Sequence, residues 1–173
     1  MIFDSKYLTS IIIPVHNRFN LMNEAVESVL NQSYRPIELI IVDDHSDVPY
    51  DIKKFSEDGL TIKLIRNLRN IGQGGSREIG RQAATGKYIA YLDSDDLWHP
   101  KKIEKQVLLM ESNPKAGMCY CTSLEFSQLP ITGKEPVRKK SNVNINRGIT
   151  KAQYVSPCNT CACLWTREAS DKV

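Results

Sequence analysis

The sequence predicts an α/β domain built around a mostly parallel sheet. Three observations favour this class: apolar runs of strand length recur along the chain, amphipathic helical segments separate them, and most strand runs are continuously apolar. The 173 residues suffice for one domain with a sizeable core. An apolar content of 41% and a charged content of 25% are ordinary for a globular protein.

The first elements are a strand, a helix and a second strand. Residues 9–15, TSIIIPV, are predicted to form the first strand. From Asn20 onward, apolar residues recur at the spacing of one helix face: Met22, Ala25, Val26, Val29 and Leu30. Arg35-Pro36 is expected to interrupt the chain before a second strand over residues 38–44, ELIIVDD.

The middle of the chain repeats this alternation around a glycine-rich segment. A short helix over residues 49–57, ended by Gly59, and a third strand over 61–67, TIKLIRN, are predicted. After a glycine-rich loop, a helix is predicted over residues 76–85. Gly86 would close that helix, because glycine often occupies the position that ends one.

The last part of the chain holds two more strand signals and a helix. KYIAYLD, residues 87–93, predicts the fourth strand, and Pro100 suits the start of the next helix. The inner face of that helix would carry Ile103, Val107 and Met110. AGMCYCTSLEF, residues 116–126, predicts a fifth strand, whereas residues 127–148 are polar and interrupted by proline and glycine, which predicts a long loop.

Charge and hydropathy exclude several classes of function. A net charge of +3 without a dense basic tract gives no indication of nucleic-acid binding, and the run VRKK at 137–140 is interpreted as a solvated loop. No apolar stretch approaches the roughly 20 residues that a membrane span requires. The N-terminus also lacks the regions of a signal peptide. We therefore expect a cytoplasmic protein, with peripheral contact at the inner face of the membrane left open.

The cysteines invite a zinc interpretation, which we rank as the minor one. They are Cys119, Cys121, Cys158, Cys161 and Cys163. An odd number without a secretion signal argues against a disulfide framework. Structural zinc sites usually draw four ligands from two pairs. Alternate positions within apolar runs instead predict buried free thiols.

The distinctive polar residues follow the predicted strands, where open parallel sheets bind their ligands. In YLDSDDLWHP, residues 91–100, an extended chain would place Asp93 and Asp95 on one face, about 7 Å apart. Two bare carboxylates about 5 Å apart repel by roughly 3 kcal/mol at an effective dielectric near 20. The pair therefore predicts a hard divalent cation such as Mg²⁺. Asp96 is interpreted as favouring the start of the next helix, and Asp43 as a turn residue.

The neighbouring segments narrow the choice of ligand. The first turn, PVHNR, contains no glycine, which argues against a dinucleotide fingerprint, and no G-x-x-x-x-G-K-[ST] motif occurs. Phosphatases of the haloacid type carry their Asp-x-Asp on the first strand, whereas here it follows the fourth. If a nucleoside diphosphate binds, a metal at the Asp-x-Asp must neutralise it, together with Arg77 or other cations.

The segments together resemble the family 2 glycosyltransferases, which have the GT-A fold, an α/β/α sandwich. SIIIPVHNR, AVESVLNQSYRPIELIIVDDHSD, NIGQGGSREIG and GKYIAYLDSDDLWHPKKIEKQV occur in the family's order, within residues 9–125. The tail, PCNTCACLWTREASDKV, looks like the strand and helix that lead into the acceptor-side half. The resemblance implies a nucleotide-sugar-binding core over residues 1–126. Residues 127–173 would then be a loop and the start of an apparently truncated second half.

The resemblance also implies an activity and a set of site residues. Such enzymes transfer a sugar, with inversion, from a nucleotide-sugar donor, with UDP favoured, to a saccharide, lipid-linked or protein acceptor in polysaccharide, cell-wall or glycoconjugate synthesis. The donor-binding residues it implies are Pro14, Val15 and His16 around the nucleobase, Asp44 on the uracil N–H, Arg77 near the base or phosphates, and Asp93 and Ser94 beside them. Asp95, with Asp93, would bind Mn²⁺ or Mg²⁺.

Two departures from the family pattern bear on catalysis. Glu78 follows Arg77 where the family often has Asn, which puts a negative charge near the expected diphosphate. An inverting transferase also needs a general base. Glu168 and Asp171 lie at an apparent helix start, too early for the family's motif, so the base is expected beyond Val173.

Two other functions remain open on the sequence. One is a non-catalytic nucleotide-sugar-binding module or degenerate fragment, which would bind a donor without transferring the sugar. The other is a sugar nucleotidyltransferase, which normally carries a glycine-rich basic loop after its first strand. PVHNR, without glycine, disfavours the latter.

Overall fold

The computed structural model describes residues 3–52, 55, 58–123 and 159–172. In chain order the elements are β1 (Phe3–Val15), α1 (Phe19–Leu30), β2 (Tyr34–Asp43), β3 (Leu60–Arg66), α2 (Gly72–Ala83), β4 (Tyr88–Tyr91), α3 (Lys102–Glu111), β5 (Met118–Tyr120), a 3₁₀ turn (Thr160–Ala162), β6 (Cys163–Thr166) and α4 (Arg167–Ser170). Within these ranges the strands form one sheet of order β3-β2-β1-β4-β6-β5.

The sheet is mostly parallel, as the sequence predicts. β1 pairs in parallel with β2 and β4, and β2 pairs in parallel with β3. β6 runs antiparallel to both of its neighbours, β4 and β5. The carboxyl ends of the four parallel strands therefore meet at one edge, and the loops that follow them are gathered there.

Helices cover both faces of the sheet, which makes the domain an α/β/α sandwich. Ile11 and Ile13 of β1 belong to the core shared with α1 and α3, whereas Ile12 between them belongs to the core under α2. All three isoleucines are fully buried. Burial on both faces explains why the strand run is continuously apolar. Gly80 lets α2 lie close to the sheet, because a Cβ there would be 2.4 Å from Cγ2 of Ile12.

The predicted boundaries of α2 are wrong at both ends. The helix begins at Gly72 rather than at residue 76, so the glycine-rich segment is its first turn rather than a loop. It ends at Ala83, and Gly86 does not close it. Gly86 instead passes close to β1, where a Cβ would lie 2.7 Å from the Leu8 carbonyl oxygen and from the Ser10 nitrogen.

Two features of the predicted first half are also wrong. Arg35-Pro36 does not interrupt the chain before β2, which already begins at Tyr34. The Arg35 guanidinium donates to the carbonyls of Leu30, Gln32 and Tyr34, and so ties this strand to the end of α1.

No helix covers the described residues of 49–57, which are 49–52 and 55. Tyr50 in this segment stacks on Phe19 with ring centroids 5.3 Å apart. Its hydroxyl donates to Asn23 Oδ1 at 2.8 Å. These contacts hold Tyr50 against α1.

The remaining elements follow the predictions closely. Ile103, Val107 and Met110 form the buried face of α3, and β6 with α4 confirms the strand and helix predicted in the tail. β5 is shorter than predicted, and the loop predicted over 127–148 lies outside the described residues. In the part of the chain that the structure describes, every helix is too short or too polar to cross a bilayer.

Candidate active site

A pocket of about 280 Å³ opens beyond the carboxyl ends of β1, β2 and β4. Its lining residues are Pro14, Val15, His16, Arg18, Asp44, Gln73 and Ser94. Five of the eight predicted site residues are therefore in the wall of one cavity. Two of the other three contact this wall, since Asp93 accepts from Gln73 and Asp95 accepts from Arg18. The third, Arg77, donates to Asp93.

His16 forms part of the wall just after β1. Its Nδ1 lies 3.0 Å from the backbone oxygen of Asp44. A carbonyl can only accept, so Nδ1 carries the proton in this contact and Nε2 is left as an acceptor. Asn17 Nδ2 lies 3.3 Å from Nε2 and donates to it. The ring is thereby oriented while remaining exposed to the pocket.

Asn17 joins the turn after β1 to the loop after β2. It has a φ of 55°, a left-handed conformation that asparagine tolerates better than most residues. Its backbone nitrogen donates to Ser46 Oγ at 3.0 Å, and its side chain exchanges two hydrogen bonds with Asp47 at 3.1 and 2.9 Å. Asn17 is not among the predicted site residues, although its position two residues after β1 was an available signal.

Asp43, at the end of β2, stabilises the following turn as predicted. Its carboxylate accepts from the Ser46 backbone nitrogen at 2.9 Å and from Arg66 at 2.6 Å. Arg66 also donates to the Ser46 carbonyl at 2.6 Å. His45 between them has a φ of 60°, so the chain reverses within this turn. Asp43 is fully buried and acts on the shape of the loop.

Asp44 both lines the pocket and caps α2. Its carboxylate accepts from Asn67 Nδ2 at 2.8 Å, from the Ile71 nitrogen at 2.9 Å and from the Gly72 nitrogen at 2.8 Å. These backbone donors belong to the first turn of α2, which has no partner for them within the helix. Burial raises the pKa of the Asp44 carboxyl, but these hydrogen bonds outweigh burial and hold its pKa below the ordinary value.

Arg77 and Gln73 point from α2 toward the acidic turn after β4. Both donate to Oδ1 of Asp93, Gln73 Nε2 at 2.7 Å and Arg77 through Nη2. The Arg77 and Asp93 side chains are only 22% and 20% exposed. Sequence reasoning missed Gln73, which lies in the segment predicted to be a loop.

Glu78 does not add an uncompensated charge to the pocket. Its carboxylate accepts from Arg81 at 2.7 Å and from Gln82 at 2.8 Å, both further along α2. The hydrogen bonds from Arg81 lower the pKa of Glu78 to about 2. Its charge is therefore neutralised on the exposed surface of the helix.

The acidic turn differs from the predicted extended geometry. Residues 94–95 form a turn, and the Asp96 nitrogen donates to the Asp93 carbonyl at 3.1 Å. The alternation of an extended strand therefore stops at Asp93. Oxygens of Asp93 and Asp96 and the sulfur of Cys161 lie within 4.8 Å of one another, whereas Asp95 is directed to Arg18 at 2.6 Å.

The helix-start role predicted for Asp96 is consequently wrong. α3 begins at Lys102, and the acidic residue in its first turn is Glu104. Pro100 also precedes the helix rather than forming its first residue. Asp96 belongs to the turn that holds the other two carboxylates.

The segment before β6 is hydrogen-bonded to the acidic turn and to the residues that follow it. The Asp93 nitrogen donates to Cys161 Sγ at 3.1 Å, and Trp98 Nε1 donates to the Cys161 carbonyl at 3.0 Å. Gln106 Nε2 donates to the next carbonyl, that of Ala162, at 2.8 Å. Burial raises the pKa of the Cys161 thiol, so in this structure it is a neutral group.

The described cysteines lie around a buried lysine. Cys119, Cys121, Cys161 and Cys163 are all close enough to Lys102 to interact with its charge. Lys102 Nζ donates to Gln106 Oε1 at 2.7 Å and lies 4.1 Å from the Trp98 ring centroid. Burial lowers the pKa of Lys102 to about 8.

Among the described residues, the single group of three metal-ligating side chains is Asp93, Asp96 and Cys161. That group uses one of the five cysteines, and Cys158 lies outside the described residues. Glu168 and Asp171 do not line the pocket: Glu168 pairs with Lys172 at 2.7 Å, and Asp171 pairs with Arg81.

A mostly parallel sheet with polar and charged side chains around a pocket beyond its carboxyl edge defines an α/β ligand-binding protein. The family model described as glycosyl transferase family 2 matches residues 10–173. The chain belongs to this family.

Two relatives illustrate the similarity in sequence. An uncharacterized glycosyltransferase of Rickettsia felis is 45% identical over 106 residues, which are 60% of this chain and 17% of that protein. WfaP of Escherichia coli, a UDP-Glc:α-D-GlcNAc-diphosphoundecaprenol β-1,3-glucosyltransferase, is 42% identical over 127 residues, covering 73% of this chain and 50% of WfaP. The chain thus spans half or less of the length of these relatives.

Solved structures share the fold. Staphylococcus aureus TarS, residues 1–349 in complex with UDP, superposes with a TM-score of 0.60 at 20% identity, covering 73% of this chain and 38% of TarS. The mannosyltransferase PcManGT of Pyrobaculum calidifontis, in complex with GDP-Man and Mn²⁺, gives 0.57 at 20% identity, with 69% and 36% covered. The fold is that of the GT-A glycosyltransferases.

Proposed function

We propose that the chain is the donor-binding part of an inverting, metal-assisted glycosyltransferase that uses a nucleotide-sugar, with UDP-sugars favoured. The observation that carries the proposal is the convergence of Pro14, Val15, His16, Asp44 and Ser94 in one pocket with the acidic turn at its edge. In this proposal residues 1–126 form the core of the donor site and residues 127–173 lead into the acceptor-side half.

The nucleoside would occupy the side of the pocket formed by the turns after β1 and β2. Pro14 and Val15 offer apolar contact, and the exposed His16 ring offers a flat surface for a base. Asp44 would accept a ring N–H, because Oδ2 holds a single backbone hydrogen bond, from Gly72, and a carboxylate oxygen accepts more than one. UDP is favoured because WfaP is named for UDP-Glc and the TarS structure contains UDP.

The acidic turn fits a divalent cation such as Mn²⁺ or Mg²⁺. Asp93 and Asp96 already place oxygens within 4.8 Å of each other, and hard cations prefer carboxylate oxygens. Asp95 would join Asp93 as a ligand, and the neutral thiol of Cys161 would stay outside the coordination. When bound, the cation stabilises the negative charge of the departing nucleoside diphosphate. The Mn²⁺ in the PcManGT complex supports this choice.

The protein's own groups would position the donor around this site. Arg77 and Gln73 hold Asp93 from the first two turns of α2, so the carboxylate enters the site with a fixed orientation. Asp44 holds the start of the same helix. No described residue is assigned the general base, since Glu168 and Asp171 are engaged away from the pocket. The acceptor would be a saccharide, a lipid-linked sugar or a protein.

Calorimetric titration with UDP, in the presence and absence of Mn²⁺, tests the donor site. We expect binding that depends on the metal and that weakens about tenfold or more in Asp95→Ala, since a ligand to a hard cation is lost. Asp58→Ala removes an exposed carboxylate ahead of β3, at the opposite edge of the sheet, and is the matched control. UDP affinity that is unchanged without metal would contradict the assignment.

A second titration tests the recognition of the base. Asp44→Asn keeps an acceptor for the cap of α2 but loses the charge that would face a ring N–H. We expect this variant to weaken the binding of UDP more than the binding of inorganic pyrophosphate, whereas equal losses would remove Asp44 from base recognition.

The competing function, a binding module without transferase activity, predicts donor binding but no transfer when the full-length protein is incubated with a panel of UDP-, GDP- and dTDP-sugars.

A further inference from the structure

Arg18 forms an ion pair across the mouth of the pocket. It follows β1 and lines the cavity, and its Nη1 lies 2.6 Å from Oδ2 of Asp95 in the turn after β4. β1 and β4 are neighbouring strands, so the pair connects two loops on adjacent sides of the same opening. The family resemblance implies no function for Arg18, and Arg18 is not among the predicted site residues.

The pair has the properties of a contact that can be exchanged. Its side chains are 58% and 47% exposed, so water and salt weaken their attraction. The other arginine of the site is different: Arg77 projects from a helix, is mostly buried and shares Asp93 with Gln73. Of these two cations, Arg18 is the one that can leave its carboxylate at little cost.

The two ligands proposed for this site compete for the same charges. Asp95 cannot offer Oδ2 fully to a cation while that atom accepts from Arg18. Once displaced, the Arg18 guanidinium would stand at the pocket wall with donors arranged for phosphate oxygens. Displacement by a cation would thus change Arg18 from a partner of Asp95 into a binding group for an anion.

We infer that Arg18 is a positioning residue that neutralises Asp95 before the donor binds, is displaced by the divalent cation, and then donates to the donor's phosphates. This inference rests on the proposed function. It predicts that Arg18 opposes the binding of the metal alone and favours the binding of the nucleotide once metal is present. A residue with a purely structural role would not affect these two affinities in opposite directions.

The first measurement is the affinity for Mn²⁺ alone, from the electron paramagnetic resonance signal of the free ion. Arg18→Gln is expected to bind Mn²⁺ about twofold to fivefold more tightly, the range that an exposed ion pair contributes. Arg18→Lys keeps the charge and should stay close to wild type. Arg69→Gln, which removes an exposed charge from the loop after β3 outside the pocket lining, controls for net charge. Equal gains in Arg18→Gln and Arg69→Gln would overturn the inference.

A double-mutant cycle assigns the effect to the pair. In an Asp95→Asn background the Arg18→Gln change should leave Mn²⁺ affinity unaltered, because the carboxylate for which Arg18 and the cation compete is already gone. A gain of the same size with and without Asp95 would mean that Arg18 acts on the metal through another group.

The third measurement is UDP affinity at saturating Mn²⁺. Arg18→Gln should weaken UDP by about tenfold, the lower end of what a hydrogen bond to a charged group contributes. Unchanged UDP affinity would overturn the phosphate role. If wild-type protein binds neither Mn²⁺ nor UDP, the proposed function fails together with the inference. If wild type binds both and the Arg18 variants match it, the inference alone fails.

Discussion

The two aspartate clusters of the pocket, Asp43-Asp44 after β2 and Asp93-Asp95-Asp96 after β4, occupy equivalent places in the fold but have opposite surroundings. Asp43 and Asp44 are 0% and 3% exposed, and their partners include three backbone N–H groups. Asp95 is half exposed, and its partner is the long side chain of Arg18. The first cluster therefore builds the pocket, whereas Asp95 of the second cluster offers a carboxylate whose partner can change.

The contrast follows from the strands that carry each cluster. β2 lies between two parallel strands, so the loop after it is enclosed by the loops after β1 and β3 and must satisfy its buried polar groups internally. β4 has a parallel neighbour on one side only, β1, because β6 on its other side is antiparallel. Identical side chains at the same edge thus serve different purposes because their burial differs.

The largest effect is expected from breaking the buried cluster. Asp44→Ala leaves Asn67 Nδ2 and the Ile71 and Gly72 nitrogens without their acceptor. We expect a loss of about 3 kcal/mol in the free energy of unfolding, since each unsatisfied buried group costs roughly 1–3 kcal/mol and water recovers part of it. Urea denaturation followed by circular dichroism measures it. A loss below that of the exposed Asp58→Ala control would contradict the capping role.

The pH dependence of stability provides a second test of the buried hydrogen bonds of Asp44. The pKa of Asp44 is lowered from 3.8 in the folded state, so its contribution to stability is present above that value and is lost as the pH falls through the folded pKa. Urea unfolding at pH 7 and near pH 3 should therefore show the stability difference between wild type and Asp44→Asn becoming smaller in acid. A difference that stays constant would mean that Asp44 has no lowered pKa.

An intermediate loss of stability is expected from removing the ion pair between Arg77 and Asp93. Arg77→Gln removes the mostly buried partner of Asp93 but leaves the hydrogen bond from Gln73. The expected loss is about 1–2 kcal/mol, between the values for exposed and fully buried ion pairs. Thermal or urea unfolding measures it, with Arg69→Gln as the control for charge. A loss equal to that of Asp44→Ala would place Arg77 among the groups that build the fold.

The smallest effect on stability is expected in the exposed cluster. Asp95→Asn should change the free energy of unfolding by less than about 1 kcal/mol, because it removes only the exposed pair with Arg18. The same variant should lose most of its Mn²⁺ affinity in the titration described above. Strong destabilisation with retained metal binding would reverse the comparison between the clusters.

Local patterns in the sequence predicted most of the fold, and the misses share a cause. β1, β2 and β4 were predictable because continuous apolar runs mark buried strands. The start of α2 was missed because its cap is Asp44, 28 residues before Gly72. Asp96 was misinterpreted because α3 begins only at Lys102, so Asp96 lies in the preceding turn rather than at the helix start.

Lining residues of the pocket were predicted where they follow the end of a strand, and they were missed where their position depends on contacts between loops. His16 and Asp44 follow β1 and β2 directly. Arg18 and Gln73 contact Asp95 and Asp93 after β4, and no local pattern reveals these partners. The family resemblance supplied roles for the first group only.

The position of β6 has a consequence for how the protein is made. β6 lies between β4 and β5, although it follows both along the chain. Until residues 163–166 have been synthesised, β5 lacks the strand with which it pairs in the described sheet, and β4 presents an open hydrogen-bonding edge. The acidic turn likewise waits for Cys161 to support it. Completion of the pocket therefore depends on a segment that contributes nothing to its lining.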